Sequence, residues 1–106
     1  MSLERVINTL INLGLSRTDA EIYVYLGKKG PQKVEDLIKS LNYSKTQITS
    51  SLKNLGTKEL VKTEGSVFNS LPFEEALELL IKKEKEQADS VEKSKKEFLV
   101  NWKKES

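Results

Sequence analysis

The chain has 106 residues and a net charge of +2, with 37% hydrophobic and 32% charged residues, which indicates one small domain with a limited core. It has no cysteine and no histidine, which excludes a disulfide framework, a thiolate nucleophile and a zinc site of the usual ligands and removes the commonest general base; we therefore expect no enzyme, no metal and no cofactor. Its first residues lack an apolar run long enough for a signal peptide or a membrane span, so we expect a cytoplasmic protein with no membrane partner.

Two helices are predicted before residue 30. Apolar side chains recur at helical spacing in residues 3–13, and Gly14 supplies the residue that ends such a helix most easily. Ser16 is placed to cap the second helix, with Asp19 three positions later near the positive end of the helix dipole. We expect its aromatic residues, Tyr23 and Tyr25, to pack inside the protein rather than stack on nucleotide bases.

A short third helix over residues 34–41 is followed, after a turn at Asn42 and Tyr43, by a polar fourth helix. Ser44 and Gln47 have the spacing of a capping box at the start of that fourth helix. Two short helices joined in this way, the second capped and polar, predict a helix-turn-helix. One narrow side of the fourth helix is apolar and consists of Ile48, Leu52 and Leu55.

The opposite side of the fourth helix carries hydroxyls, one amide and lysines, with no acidic residue. Such a surface suits the floor of a DNA major groove, where base edges and phosphates both offer acceptors. A polar solvated face is the alternative interpretation. If Gln47 is occupied by its own cap, base readout shifts to Thr46 and Ser50. The expected base contacts are Lys45, Thr46, Gln47, Thr49 and Ser50.

Positive charge is concentrated around this helix. Residues 28–62 contain eight lysines against three acidic residues, a net charge of +5, whereas residues 74–106 contain eight lysines against nine acidic residues, a net charge of −1. This distribution is what contacts with DNA phosphates require. The expected phosphate contacts are Lys33, Lys53 and Lys62.

A β-hairpin is predicted over residues 61–71, where apolar residues partly alternate around Glu64 and Gly65. Three helices followed by a hairpin form a winged helix, so the expected fold is mainly α with a small β-hairpin. Because a phosphate would repel Glu64, we expect the wing to touch DNA lightly if at all. The wing tip consists of Thr63, Glu64, Gly65 and Ser66.

A long final helix begins at Pro72 and meets no further glycine or proline. Apolar residues along it follow a heptad seam with two polar intrusions, Glu84 and Lys95. Apolar residues exposed far from the domain are expected to pack against another helix, so we expect a homodimer. We expect the two helices to be antiparallel, because that arrangement places Glu84 near Lys95. A solvated, charged tail is the alternative. The expected dimerisation residues are Leu77, Ile81, Ala88, Val91, Phe98 and Trp102.

The ordered motifs resemble the DNA-binding domain of the TrmB-like family of archaeal winged-helix transcription regulators. The resemblance covers about residues 3–82, and its clearest part is LGLSRTDAEIYVYL at 13–26, continued by residues 33–38, the serine-led fourth helix and PFEEA at 72–76. It implies an archaeal DNA-binding regulator. The family's tyrosine early in the recognition helix is replaced here by Gln47-Ile48, so no DNA-sequence preference carries over. MarR-like and ArsR-like regulators share this architecture.

These features are compatible with two functions. The first is a sequence-specific, double-stranded-DNA-binding transcription regulator that acts as a homodimer, with residues 1–71 as the winged helix-turn-helix domain and residues 72–106 as the dimerisation helix. The alternative is a winged-helix module that docks on a larger protein assembly through its C-terminal helix, as the apolar residues near Trp102 suggest. Many family members carry a C-terminal sugar-binding domain, which we do not expect here, so no small-molecule effector is assigned.

Overall fold

The computed structural model describes residues 3–105, except for the side chains at positions 90, 91, 94, 96, 98, 101 and 103–105. Within this part the chain forms five helices and a small antiparallel sheet, which confirms the predicted winged helix with a long C-terminal helix. The elements in chain order are α1 (Leu3–Asn12), α2 (Arg17–Lys29), β1 (Gln32–Lys33), α3 (Val34–Ser40), α4 (Lys45–Thr57), β2 (Val61–Glu64), β3 (Val67–Ser70) and α5 (Phe73–Glu105).

The junction between α1 and α2 follows its sequence signals. Gly14 has φ 108°, a conformation that glycine adopts without strain, and it lies just beyond α1. Ser16 then caps α2, its hydroxyl oxygen accepting a hydrogen bond of 3.1 Å from the backbone N–H of Asp19. The tight turn places α1 against α2, with Leu10 and Ile22 fully buried.

The core lies where α2 meets α1, α4 and the sheet. The apolar side of α4 is directed into this core, and Ile48 and Leu55 are completely buried there. Tyr23 of α2 is also buried and donates its hydroxyl to the backbone oxygen of Leu71, which ties α2 to the end of the hairpin. Because the apolar side of α4 is held in the core, the residues on its opposite side are the ones that reach the surface.

The three strands are arranged in the order β1-β3-β2. Glu64 pairs with Val67, so the hairpin loop is Gly65-Ser66 rather than the predicted Glu64-Gly65. Gly65 has φ 64° at the first loop position, where two-residue hairpins of the type II′ class require glycine. Strand β1 was not predicted, because its two residues pair only with β3 and carry no alternating pattern of their own.

Helix α5 begins on the core and then leaves it. Ala76 and Leu80 are buried, whereas Ile81 is 55% exposed and Trp102 is 69% exposed. Leu80 therefore belongs to the domain core, next to the exposed seam residue Ile81. The side chains of Val91 and Phe98 lie outside the described residues. No helix within residues 3–105 is both long enough and apolar enough to cross a bilayer.

Tyr23→Phe is expected to lower the free energy of unfolding by about 1 kcal/mol at neutral pH, because the hydrogen bond to Leu71 is lost. Burial, assisted by the charge of Glu75, raises the pKa of Tyr23 from 10.0 to about 12. The unfolded tyrosine therefore ionises first, and the stability that Tyr23 contributes is lost as the pH rises from 10 to about 12. Urea titrations across this range should show the difference between wild type and variant narrowing; a constant difference would contradict the raised pKa.

Candidate nucleic-acid interface

The first turn of α4 is fixed by a reciprocal cap. The Ser44 hydroxyl oxygen accepts from the backbone N–H of Gln47 at 3.2 Å, and the Gln47 side-chain oxygen accepts from the backbone N–H of Ser44 at 2.9 Å. This is the predicted capping box. The Gln47 side-chain oxygen is occupied by Ser44, so only its NH₂ group is free. A contact with adenine through both the oxygen and the NH₂ would therefore require the cap to break.

The polar side of α4 is open to solvent. The residues predicted to read DNA are all exposed, and no other part of the described chain covers them. A shallow groove of about 440 Å³ runs along this surface. We call this surface the open face; it is formed by Lys45, Thr46, Thr49, Ser50 and Lys53.

The hydroxyls of the open face differ in what they can offer. Thr49 donates its hydroxyl hydrogen to the backbone oxygen of Lys45 at 2.7 Å, so it presents a methyl group and acceptor lone pairs outward. It suits a base-pair edge with an amino donor or a thymine methyl. Thr46 and Ser50, in contrast, have no hydrogen-bond partner among the described residues, so each can both donate and accept.

The charge of the open face is unopposed. Helix α4 contains no acidic residue, and neither Lys45 nor Lys53 forms an ion pair with any described acidic side chain. A cation without a protein partner keeps its full attraction for an external anion. The open face is therefore a positive surface with free hydrogen-bonding groups along its centre.

The other predicted phosphate ligands lie on the sheet. Lys33 is in β1 and Lys62 is in β2, the two outer strands, and both side chains are exposed. The wing residues Thr63, Glu64, Gly65 and Ser66 are exposed as well. Lys33 pairs with Val67 and Lys62 with Asn69, two residues apart on the intervening strand β3. With strands spaced about 4.8 Å apart and a rise of about 3.4 Å per residue, the backbones of Lys33 and Lys62 are about 12 Å apart. Both lysines lie on the sheet, whereas the open face lies on α4.

A partly buried polar contact that the sequence did not reveal connects α4 to α2. The side-chain NH₂ of Asn54 donates to a carboxylate oxygen of Asp19 at 2.6 Å, and Asp19 is only 3% exposed. The bond joins α4 to the first turn of α2. Asp19 reads in the sequence as part of the α2 cap, and its pairing with a residue 35 positions away has no local signal.

A second polar network supports the turn before α4. The Tyr43 hydroxyl donates to the Glu21 carboxylate, and Arg17 pairs with Glu21 at 3.2 Å and with Glu4 at 2.8 Å. The hydrogen bond to Glu21 raises the pKa of Tyr43, so the phenol keeps the proton that it donates. These contacts hold the helix-turn-helix from the side of α2.

A larger groove of about 750 Å³ lies between α4 and the start of α2. One wall is formed by Thr46, Ser50 and Lys53 of the open face, and the other by Thr18 of α2 and its cap residue Ser16. Thr18 was not among the predicted site residues, because nothing in its local pattern distinguishes it from any threonine near a helix start. The open face therefore continues into a cleft rather than ending at the edge of α4.

Asn54→Ala is expected to lower the free energy of unfolding by about 1–3 kcal/mol, since it leaves the buried Asp19 carboxylate without its partner. Urea denaturation followed by circular dichroism measures this change. Asn8→Ala is a matched control, because Asn8 is an exposed asparagine in helix α1. Equal stability of the two variants would show that the Asp19–Asn54 bond does not hold α4 in place.

Known proteins resemble this chain in sequence and in fold. A family model described as the sugar-specific transcriptional regulator TrmB matches residues 10–72. An uncharacterised protein of Methanocaldococcus jannaschii is 26% identical over 89 residues, which are 76% of this chain and 67% of that protein.

Among solved structures, TrmBL2, an archaeal chromatin protein described as having a novel mode of DNA binding, superposes with a TM-score of 0.79 at 21% identity. The match covers 92% of this chain but spans only 39% of the TrmBL2 chain, and at this identity it establishes the shared fold alone. The family match is the broader result, because residues 10–72 are more than half of the 106 residues. The chain therefore belongs to the TrmB family of transcriptional regulators.

Proposed function

We propose that this protein is a transcription regulator that binds double-stranded DNA by placing the open face of α4 in the major groove. The observation that carries the proposal is the exposure of that face: its hydroxyls and lysines are uncovered, and its cations have no acidic partner among the described residues. Burial of the opposite side of α4 fixes this orientation. Membership of a family of transcriptional regulators supports the same function.

The free groups suggest separate roles. Thr46 and Ser50 are proposed to read base edges, because their hydroxyls can both donate and accept, while Thr49 contributes an acceptor and a methyl group. Lys45 and the NH₂ of Gln47 add donors at the start of the helix. Phosphate contacts are proposed for Lys53 beside the groove and for Lys33 and Lys62 on the outer strands of the sheet.

The proposal includes a homodimer in which residues 1–71 bind DNA and residues 72–106 form the dimer contact. A helix that extends beyond its domain with Trp102 69% exposed is unusual for a monomer and supports a partner there. Two copies would then address two half-sites of a symmetric sequence.

Selection of bound fragments from a random pool of duplex DNA tests both specificity and symmetry. A regulator of this kind should enrich a palindromic motif with half-sites separated by about one helical turn, roughly 34–36 Å. Strong binding without an enriched motif would instead indicate sequence-independent DNA binding and would overturn the sequence specificity. No binding at low salt would favour the alternative function, a module that docks on another protein.

Lys53→Ala is expected to weaken binding to all duplexes evenly and to reduce the slope of log Kobs against log salt concentration by about 0.9, because one phosphate contact is removed. Titrations with the selected sequence and with a random duplex at several salt concentrations measure both quantities. An altered sequence preference with an unchanged slope would mean that Lys53 contacts a base instead.

A further inference from the structure

The exposed seam of α5 begins beside the core and continues along the projecting part of the helix. Ala76 and Leu80 face the core, and the seam lies on the adjacent side of the helix: Leu77 is half-buried and Ile81 is 55% exposed. Ala88, Lys95 and Trp102 are exposed along the same seam. From Ile81 onward, every seam residue whose side chain is described is exposed, so this part of the seam is available to a partner.

The seam is symmetric about its centre. Leu77 and Trp102 are equally far from the midpoint between positions 89 and 90, and so are Glu84 and Lys95. The remaining seam positions follow the same rule, with 81 matched to 98 and 88 matched to 91. If a second copy of the helix runs antiparallel with its midpoint at the same place, every seam position therefore lies opposite another seam position.

The matched positions are chemically complementary. In the antiparallel pair, Glu84 of each copy lies opposite Lys95 of the other. Leu77 of each copy lies opposite Trp102 of the other. A parallel pair would instead place Glu84 on Glu84 and Lys95 on Lys95, and like charges at a helix interface are unfavourable. The charge pattern thus selects a second copy in the antiparallel orientation as the occupant of this surface.

We propose that α5 pairs with α5 of a second copy in an antiparallel arrangement, with the two-fold axis between positions 89 and 90. This inference rests on the homodimer of the proposed function and specifies its register. In this register Trp102 covers Leu77 at the start of the partner's helix. The two copies of Leu77 are about 38 Å apart along the pair at 1.5 Å per residue, close to one turn of B-DNA.

Disulfide trapping tests the register. Because the sequence contains no cysteine, only the introduced thiols can form a cross-link. Glu84→Cys and Lys95→Cys are made as separate proteins, mixed in the reduced state and treated with a mild oxidant. We expect a covalent dimer in the mixture and none from either protein alone, because identical positions are about 16 Å apart along an antiparallel pair. Glu86→Cys mixed with Lys93→Cys is the matched control: both are exposed, symmetric about the same midpoint and off the seam, and they should not cross-link.

The other outcomes are distinguishable. Cross-linking of Glu84→Cys with itself would indicate a parallel pair and overturn the proposal. Failure of the seam mixture to cross-link, while light scattering shows a dimer, would overturn the register but leave the homodimer intact. A monomer at all concentrations would overturn both, whereas DNA binding is measured separately by titration. Circular dichroism of each variant checks that it is folded.

Discussion

Replacing both Lys45 and Lys53 with glutamate is expected to weaken DNA binding at least about a hundredfold at moderate salt, because two phosphate-attracting cations become two repelled anions. Both residues are exposed and lack acidic partners in the described chain, so no ion pair is broken by the change. Glutamate at position 45 is also favourable in the first turn of a helix. Fluorescence anisotropy with a labelled duplex measures the loss.

Lys82→Glu with Lys85→Glu is the matched control for this pair. Both lysines are exposed on α5, and the double change alters the net charge by the same amount. We expect the control to retain most of its affinity, because its effect acts only through the total charge. Equal loss of affinity in the two double variants would show that the open face has no special role.

Leu55→Ala is expected to lower the free energy of unfolding by about 2–5 kcal/mol, since it opens a cavity at a fully buried site. That is a large share of the stability of a small domain. Leu55 is the last buried residue on the core side of α4, so the variant should also weaken the packing that orients the open face. Thermal and urea unfolding, followed by circular dichroism, measure the change.

Thr49→Ala on the opposite side of the same helix is the control. Thr49 is exposed, and its hydroxyl bonds only to the backbone of Lys45, so its removal should change stability by no more than about 0.5 kcal/mol. The same variant should alter DNA binding if Thr49 meets a base. Comparable destabilisation in the two variants would contradict the division of α4 into a core side and an open face.

The parts of the fold that sequence predicted well are those with local causes. The Ser44–Gln47 cap and the cap of α2 at Ser16 both depend on side chains three residues apart, and both are present. The apolar side of α4 was predicted by spacing alone, since burial of a helix follows its periodicity. Continuation of α5 to residue 105 likewise follows from the absence of any helix-breaking residue after Pro72.

The parts that sequence did not predict depend on distant partners. Strand β1 exists because Gln32 pairs with Phe68 across the sheet, and the Asn54–Asp19 bond exists because α2 packs against α4. The hairpin loop lies one residue later than predicted, because strand pairing rather than composition sets its position. The burial of Leu80 in the domain core was not predicted either, since periodicity alone cannot show which side of α5 meets the core.

Because α5 is long, the helical structure of its outer part should depend on the concentration of the protein. Residues 81–105 extend about 38 Å past Leu80, the last buried residue of the described helix. Helical segments with few tertiary contacts draw little stability from propensity alone, so the outer part of α5 is held chiefly by whatever packs on it. If that is a second copy, dilution unwinds the outer helix while the winged domain stays folded, and a cell with few copies would contain single DNA-binding units with frayed tails.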